Sequence, residues 1–187
     1  MTIERAVLAI RAGEVVGVPT DTVYGIAADP TNEEAVARLF DLKGRPERKP
    51  IGLLAASIEQ ASEIGVIDGV AAELAAAHWP GALTLVVVPK VILADWVGDA
   101  QRQTVGLRVP DHAVLVEILA ATGPLAVTSA NLSGGNESLN DAGARAVFAD
   151  SVAFYVEGNA PGGEASTVVD VTGGRMVVLR QGPVIIS

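Results

Sequence analysis

The basic residues of this chain are concentrated in one short segment, residues 43–49. Lys43, Arg45, Arg48 and Lys49 make up four of the 13 lysine and arginine residues, although the formal charge of the chain is −9. Such crowding costs mutual repulsion, which an anionic ligand such as a polyphosphate would relieve. The alternative is a solvated loop whose charges pair with nearby acids, which is the commoner role of a charge run.

Polar and glycine-rich segments follow two of the predicted strands, at the place where open α/β sheets bind ligands. Residues 19–25 read Pro-Thr-Asp-Thr-Val-Tyr-Gly, and residues 128–135 read Thr-Ser-Ala-Asn-Leu-Ser-Gly-Gly. Arg108 and Arg180 each lie at a strand end and could clamp a carboxylate or a phosphate through two hydrogen bonds. Glycines also let backbone N–H groups approach a phosphate. Each segment taken singly is equally typical of an ordinary turn.

Several familiar chemistries are excluded by the residues that the chain lacks. It contains no cysteine, no Gly-x-x-x-x-Gly-Lys-Ser/Thr segment and no Gly-x-Ser-x-Gly segment. The two histidines, His78 and His112, lie at predicted helix ends, where a structural role is expected. The sequence therefore argues against a Walker-type nucleotide site, a Ser-His-Asp triad and a metal site built from protein ligands.

Composition and charge limit the kinds of partner that the chain can have. A length of 187 residues suits one domain, which we expect to span residues 1–187, and a hydrophobic content of 50% with 4% aromatic residues fits aliphatic α/β layers. No apolar run approaches the roughly 20 residues of a membrane helix, and no apolar leader is present, so we expect a cytoplasmic protein with no membrane contact. The sequence pI of about 4.6 argues against a broad nucleic-acid-binding face.

Alternating helices and strands must position these polar segments. Helices are predicted at 3–10, after capping boxes at 31–34 and 57–60, at 71–77, from Asp111 to about 122, and at 142–148. Strands are predicted at 15–18, 50–55, 83–88, 104–109, 125–128, 152–156, 167–171 and 176–179. Because several strands are consecutive near the C-terminus, we predict an α/β fold with a mixed, twisted sheet of parallel and antiparallel strands and helices on its faces. The glycine-rich stretch 158–165 is predicted to be a mobile loop.

In combination and in order, the polar segments resemble the threonylcarbamoyl-AMP synthase family, the YrdC/Sua5-type proteins. The resemblance covers nearly the whole chain, and the chain length is similar to the short, single-domain form. It implies a YrdC-like fold with a concave basic pocket. The segments that carry the resemblance are residues 19–25, 43–46 with 49–50, 108–110, 129–134, 166–170 and 180–182.

The resemblance implies that L-threonine, bicarbonate and ATP give threonylcarbamoyl-AMP and pyrophosphate. A separate tRNA threonylcarbamoyl-transferase complex would then modify adenosine 37 of tRNAs, so little direct tRNA binding is expected. Mg²⁺ would arrive with ATP and would need no dedicated protein ligands. Because the attacking N-carboxylate is already an anion, catalysis can consist of alignment and charge neutralisation.

The resemblance also implies a role for individual residues. Two residues are implied to be catalytic, Lys43 and Arg45. The residues implied to bind ATP are Arg45, Lys49, Thr104, Asn131, Ser138 and Arg180. The residues implied to bind threonine are Thr22, Arg108, Ser129 and Ser166, with Arg108 as the partner of the amino-acid carboxylate. Leu54 lies where some relatives carry a polar residue, so no polar side-chain contact with threonine is expected there.

Three other functions stay open at this point. A relative with the same fold and nucleotide pocket could act on another substrate, although Thr22, Arg108 and Ser166 argue against it. An RNA-binding module could use the basic segment, but the net charge and the few aromatic residues disfavour it. A carbamoyl-transfer role, like that of a related domain in hydrogenase maturation proteins, would need accessory domains.

Overall fold

The computed structural model describes residues 2–44 and 50–186. Within these residues the helices are α1 (Thr2–Arg11), α2 (Glu33–Leu42), α3 (Ile58–Ile64), α4 (Gly69–His78), α5 (Ala113–Thr122) and α6 (Asp141–Phe148). The strands are β1 (Val16–Val18), β2 (Gly25–Ala28), β3 (Gly52–Leu54), β4 (Leu83–Val87), β5 (Val105–Arg108), β6 (Leu125–Ser129), β7 (Phe154–Tyr155), β8 (Thr167–Asp170) and β9 (Val177–Arg180).

The described strands form one sheet in the order β7-β1-β2-β6-β3-β5-β4-β8-β9. Three neighbouring pairs are parallel, namely β1 with β7, β3 with β5, and β4 with β8. The other neighbouring pairs are antiparallel. This mixed sheet confirms the predicted fold class, whereas a single domain over residues 1–187 stays a prediction.

Two helix starts were predicted from capping boxes, and one of them is shifted. Ser57 caps α3 as predicted: its hydroxyl accepts from the Gln60 backbone N–H at 3.3 Å, and the Gln60 side chain accepts from Ala56 N at 2.7 Å. The cap of α2 is Asn32, whose side chain accepts from Ala35 N at 3.0 Å. The predicted cap, Thr31, instead donates its hydroxyl to Asp29, because an earlier turn offers it a carboxylate.

The start of α5 also differs from the prediction by one residue. Its N-cap is His112 rather than Asp111, and the His112 side chain makes no capping hydrogen bond. The first turn of α5 contains no acidic residue, so apolar packing accounts for its position. Leu115, Ile118 and Leu119 on its inner side are fully buried.

The two faces of the sheet are covered to different extents. One face packs against α2, α3, α4 and α6 in a core that contains Leu39, Ala61, Ala75 and Phe148. On the opposite face, α1 and α5 pack over β1, β2, β3, β6 and β7. Because side chains alternate between the faces, the residues of β4, β5 and β8 that point to the second side line open space. This uncovered area is where the polar segments meet.

Among the helices described, none combines the length and the hydropathy needed to cross a membrane. The cytoplasmic location stays a prediction.

Candidate active site

The uncovered part of the sheet face forms a cleft of about 480 Å³. Alternate residues along β4, β5 and β8 line it, as the two-residue period of a strand predicts, whereas β3 and β6 contribute consecutive residues. Four cations and two carboxylates contribute to its described lining: Lys43, Arg102, Arg108, Arg180, Asp99 and Glu137. Such a lining fits an anionic ligand. The concave basic pocket that the resemblance implies stays a prediction.

Two glycines in the lining, Gly25 and Gly52, leave space in the cleft that a side chain would occupy. A Cβ on Gly25 would lie 2.9 Å from Val127 Cγ1, and a Cβ on Gly52 would lie 3.0 Å from the Gly106 carbonyl oxygen. The first distance is shorter than Cβ atoms adopt and the second is at the tight limit, so a larger residue at either position would force its neighbour to shift. The space for a ligand therefore depends on these two positions.

Arg108, at the end of β5, is held by three hydrogen bonds. Its Nε donates to the Gly81 carbonyl at 3.0 Å, one terminal nitrogen donates to Thr22 Oγ1 at 3.0 Å, and the other donates to Asp21 Oδ1 at 2.5 Å. A guanidinium has five N–H donors, so one N–H on each terminal nitrogen is left for a ligand. These donors are available to an anionic group such as a carboxylate.

The Arg108–Asp21 pair is almost completely buried. The side chain of Arg108 is 7% exposed and that of Asp21 is 12% exposed. Burial lowers the pKa of Arg108, while the charge and hydrogen bond of Asp21 act to raise the pKa. The guanidinium stays charged at neutral pH because the ordinary pKa of arginine lies far above neutrality. The sequence indicated the segment that contains Asp21 but no role for this residue.

A second cluster lies beside Arg108, around Ser166 and Arg180. Arg180 donates from Nε to the Ser166 carbonyl at 2.9 Å and from a terminal nitrogen to Ser166 Oγ at 3.1 Å. The hydroxyls of Ser166 and Thr84 share a hydrogen bond of 2.8 Å. Burial lowers the pKa of Arg180, and the charge of Arg180 lowers the pKa of Arg108 in turn. The two guanidinium groups therefore act on the same region of the cleft.

The third cluster is built around Lys43, directly after α2. Its Nζ donates to the Ser129 carbonyl at 2.6 Å, to Ser129 Oγ at 3.3 Å and to Asn131 Oδ1. Asn131 also accepts from Ser129 Oγ at 2.7 Å and donates to the Gly135 carbonyl at 2.7 Å. Lys43 is only 2% exposed, yet it lines the cleft together with Ser129. Asn131 thus fixes the ammonium group and is not itself among the lining residues.

The other residues predicted for the site fall in three groups. Thr104 lines the cleft at the start of β5. Ser138 does not line it, and its hydroxyl donates to the Ala130 carbonyl at 2.6 Å. Arg45 and Lys49 lie outside the described residues. All of the ligand contacts assigned to these residues stay predictions.

No role was predicted for Arg102, which lines the cleft and donates to Asp170 Oδ2 at 2.7 Å. It lies two residues before Thr104, in a stretch without a motif, so only its proximity to a predicted site residue could have indicated it. Thr84 was likewise missed, because a threonine in a strand is usually explained by strand preference.

The glycine-rich stretch 158–165 is attached to the site at several points. Ala160 is buried and its N–H donates to the Leu139 carbonyl at 2.7 Å, while Gly163 N–H donates to the Thr22 carbonyl at 2.8 Å. Residues 161–164 are exposed. The predicted mobility can therefore involve this exposed tip, and its closure over a ligand stays a prediction.

The described residues contain no group of three or more histidine, cysteine, aspartate or glutamate side chains placed to hold a metal ion. Of the two carboxylates in the lining, Asp99 accepts hydrogen bonds from Gln101 N and Arg102 N. That Mg²⁺ arrives with ATP and needs no dedicated protein ligands stays a prediction.

Comparison with known proteins places this fold in a defined family. The family model described as "Telomere recombination", which groups Sua5, YciO and YrdC proteins, matches residues 8–182. A Mycobacterium tuberculosis protein provisionally named threonylcarbamoyl-AMP synthase is 46% identical over 96% of this chain and 83% of its own length. The threonylcarbamoyl-AMP synthase of Bacillus subtilis is 34% identical over 96% of this chain, which spans about half of that relative, 53%.

Two solved structures of the family superpose on this chain over nearly its whole length. Sua5 of Pyrococcus abyssi, determined in complex with L-threonine, superposes with a TM-score of 0.89 at 34% identity, over 96% of this chain and 54% of the other. YciO of Escherichia coli has a TM-score of 0.89 at 26% identity, over 96% of this chain and 88% of the other.

Proposed function

This chain belongs to the Sua5, YciO and YrdC family, and on that premise we propose that it is an L-threonylcarbamoyladenylate synthase. It condenses L-threonine, bicarbonate and ATP to threonylcarbamoyl-AMP and pyrophosphate. The observation that carries the proposal is the buried Arg108 cluster, in which Asp21 and Thr22 hold a guanidinium that lines the cleft beside the Ser166 and Thr84 hydroxyl groups. This arrangement suits an amino acid that itself carries a hydroxyl group.

We infer that threonine binds at the end of the cleft formed by Arg108 and Ser166. The threonine carboxylate would accept from the two remaining N–H groups of Arg108. Its hydroxyl group would find donors and acceptors among Thr22, Ser166 and Thr84, which already exchange hydrogen bonds with each other or with Arg108. A site built to bond a substrate hydroxyl strongly rejects analogues without it.

The chemistry then needs no protein nucleophile. The threonine amine and bicarbonate give an N-carboxylate and water, and an oxygen of this N-carboxylate attacks the α-phosphorus of ATP while pyrophosphate leaves. Negative charge accumulates around the α-phosphate, where the buried ammonium of Lys43 would stabilise it. Because Asn131 and the Ser129 carbonyl fix that ammonium group in advance, its reorientation during the reaction is small.

Nucleotide binding is proposed for the remaining predicted residues. Arg45, Lys49, Thr104, Asn131, Ser138 and Arg180 are the predicted ATP contacts, with Arg45 as a further catalytic residue. Mg²⁺ bound to the phosphates would reduce their charge and orient them.

We also propose that the product passes to a tRNA threonylcarbamoyl-transferase complex that modifies adenosine 37. This chain would contribute little to tRNA binding itself, because its formal charge is −9 and its cleft is sized for small ligands.

The amino-acid preference of the enzyme distinguishes this proposal from the alternative, a family relative that acts on another substrate. Pyrophosphate release is measured with ATP and bicarbonate plus threonine, serine or valine, and with bicarbonate omitted as a control. We expect the highest kcat/KM for threonine, a smaller value for serine, which lacks only the methyl group, and a value lower by at least about 100-fold for valine. Equal rates with valine and threonine would contradict the threonine site and favour the relative.

A further inference from the structure

Arg102 differs from the other cations of the cleft in how it is held. Lys43, Arg108 and Arg180 each make two or more hydrogen bonds through their charged groups. In the described part of the chain, the guanidinium of Arg102 donates one hydrogen bond, to Asp170 Oδ2 at 2.7 Å. Its side chain is 55% exposed although it lines the cleft. Most of its five donors are therefore available to a ligand.

The backbone that carries Arg102 is fixed. Asp99 Oδ1 accepts from Gln101 N at 3.1 Å and from Arg102 N at 3.0 Å, and Asp99 and Thr104 exchange two backbone hydrogen bonds. The preceding Gly98 N–H donates to the Ile51 carbonyl at 2.9 Å, which connects this turn to the residue directly before β3. A cation with an exposed head on a fixed turn is well suited to capture an anion.

Asp170 can release Arg102 without losing all of its partners. Its other oxygen, Oδ1, accepts from Thr172 N at 2.9 Å and from Thr172 Oγ1 at 2.6 Å. These two bonds would persist if the guanidinium moved away. Burial raises the pKa of Asp170, but the bonds from Thr172 and Arg102 outweigh it, so the pKa lies below its ordinary value and the group stays ionised.

The sheet registers place Arg102 on the same side of the cleft as Lys43. β3 pairs Gly52 with Val127 of β6 and Leu53 with Leu107 of β5. β4 pairs Val87 with Val105, and β8 pairs Asp170 with Val86. The Lys43 and Arg102 clusters thus lie at the same end of these strands, whereas Arg108 lies at the opposite end of β5. Two cations in one row suit an extended chain of phosphates, whereas Arg108 lies where we propose the amino acid.

We propose that Arg102 binds the phosphate chain of ATP and the pyrophosphate product, by exchanging the Asp170 carboxylate for phosphate oxygens. This inference rests on the proposed function for the identity of the ligand. It adds a phosphate-binding residue that is separate from the basic segment 43–49. Asp170 then acts as a resting partner that holds the guanidinium when no phosphate is bound.

Inorganic pyrophosphate is the probe that tests this proposal. Its dissociation constant, and those of ATP and AMP, are measured by calorimetry on the whole chain and on Arg102→Gln. We expect pyrophosphate and ATP to bind about three- to tenfold more weakly in the variant, and AMP to change by less than about twofold, given that the side chain is half exposed. The matched control is Arg38→Gln, since Arg38 also makes one 2.7 Å ion pair at 46% exposure but lies outside the cleft lining.

A second substitution separates exchange from a merely structural ion pair. Asp170→Asn keeps an oxygen for Thr172 and removes the charge that holds Arg102, so pyrophosphate should bind about two- to threefold more tightly. The same substitution in an Arg102→Gln background should have no such effect. An equal gain in pyrophosphate affinity in both backgrounds would overturn the proposed exchange of Asp170 for phosphate, because the gain would then come from the long-range effect of removing a negative charge.

Two further outcomes would overturn the phosphate assignment itself. One is unchanged pyrophosphate binding in Arg102→Gln, and the other is an equal loss of AMP and pyrophosphate affinity, which would place Arg102 at the nucleoside. Because pyrophosphate binding needs neither threonine nor bicarbonate, these results are independent of whether the chain makes threonylcarbamoyl-AMP.

Discussion

Removal of the Arg108 guanidinium should damage both stability and threonine use, and the two effects can be separated. Arg108→Gln leaves the Asp21 carboxylate buried at 12% exposure without its cation. Breaking a buried ion pair from one side costs about 3–5 kcal/mol, and we take the lower end because Asp21 keeps some solvent contact. For a chain of this length, about 3 kcal/mol corresponds to a decrease in Tm of about 6–12 °C.

The double variant Asp21→Asn with Arg108→Gln provides the separation. It removes both charges, so the free energy of unfolding should return to within about 1 kcal/mol of the original value. Threonine use should not return with it, because the two N–H donors for the carboxylate are still missing. Loss of charge-assisted hydrogen bonds worth about 1.5–3 kcal/mol predicts a decrease of roughly 10- to 150-fold in kcat/KM for threonine.

The assays are thermal unfolding and threonine-dependent pyrophosphate release at saturating ATP. Arg38→Gln serves as the control, since its ion pair with Glu14 is about half exposed on both sides and should contribute under about 1 kcal/mol. Two results would refute the reasoning. If Arg108→Gln unfolded like the original chain, Asp21 would not be a buried uncompensated charge. If the double variant regained full activity, Arg108 would serve only to neutralise Asp21.

Three further predictions concern the other parts of the site. Lys43→Met should lower kcat by about 100-fold or more with little change in threonine affinity by calorimetry, because the buried ammonium acts on charge that develops during the reaction; an unchanged kcat would contradict this. The folded-state pKa of Asp170 is lowered, so its contribution to stability is present above about pH 4 and is lost as the pH falls through the folded pKa. In thermal unfolding, Asp170→Asn should therefore lower Tm at neutral pH and converge with the original chain in acid, and a parallel shift at every pH would count against it. Hydrogen exchange over residues 158–167 should slow when threonine and ATP are both bound, and identical exchange in the free and liganded protein would leave this stretch a passive connector.

The fold class followed from patterns that local sequence does encode. Apolar runs of strand length, capping residues such as Ser57, and consecutive strands near the C-terminus together predicted a mixed sheet. Strand β2 was missed because Gly25-Ile-Ala-Ala is a weak strand former, and its pairing with β1 and β6 is a tertiary effect. The strand order itself depends on contacts between residues about 100 positions apart, which single-sequence patterns do not contain.

The candidate site was predictable in part. Thr22, Lys43, Thr104, Arg108, Ser129, Ser166 and Arg180 were all predicted from the sequence, and all line one cleft. Their pairing was not predictable, because Asp21 is recognised as the partner of Arg108 only when β1 and β5 are brought together. Arg102 was missed for the same reason. Its ion-pair partner, Asp170, lies 68 residues away in the chain, so the sequence alone does not show the pair.

The most direct test of the central claim is the origin of the carbonyl carbon in the product. The whole chain is incubated with ATP, L-threonine and ¹³C-labelled bicarbonate, and the products are analysed by mass spectrometry, with Arg108→Gln and a reaction without threonine as controls. The account predicts an AMP adduct that contains threonine and one labelled carbon, formed together with an equal amount of pyrophosphate. Pyrophosphate release without any labelled adduct, or an adduct that forms without threonine, would contradict it.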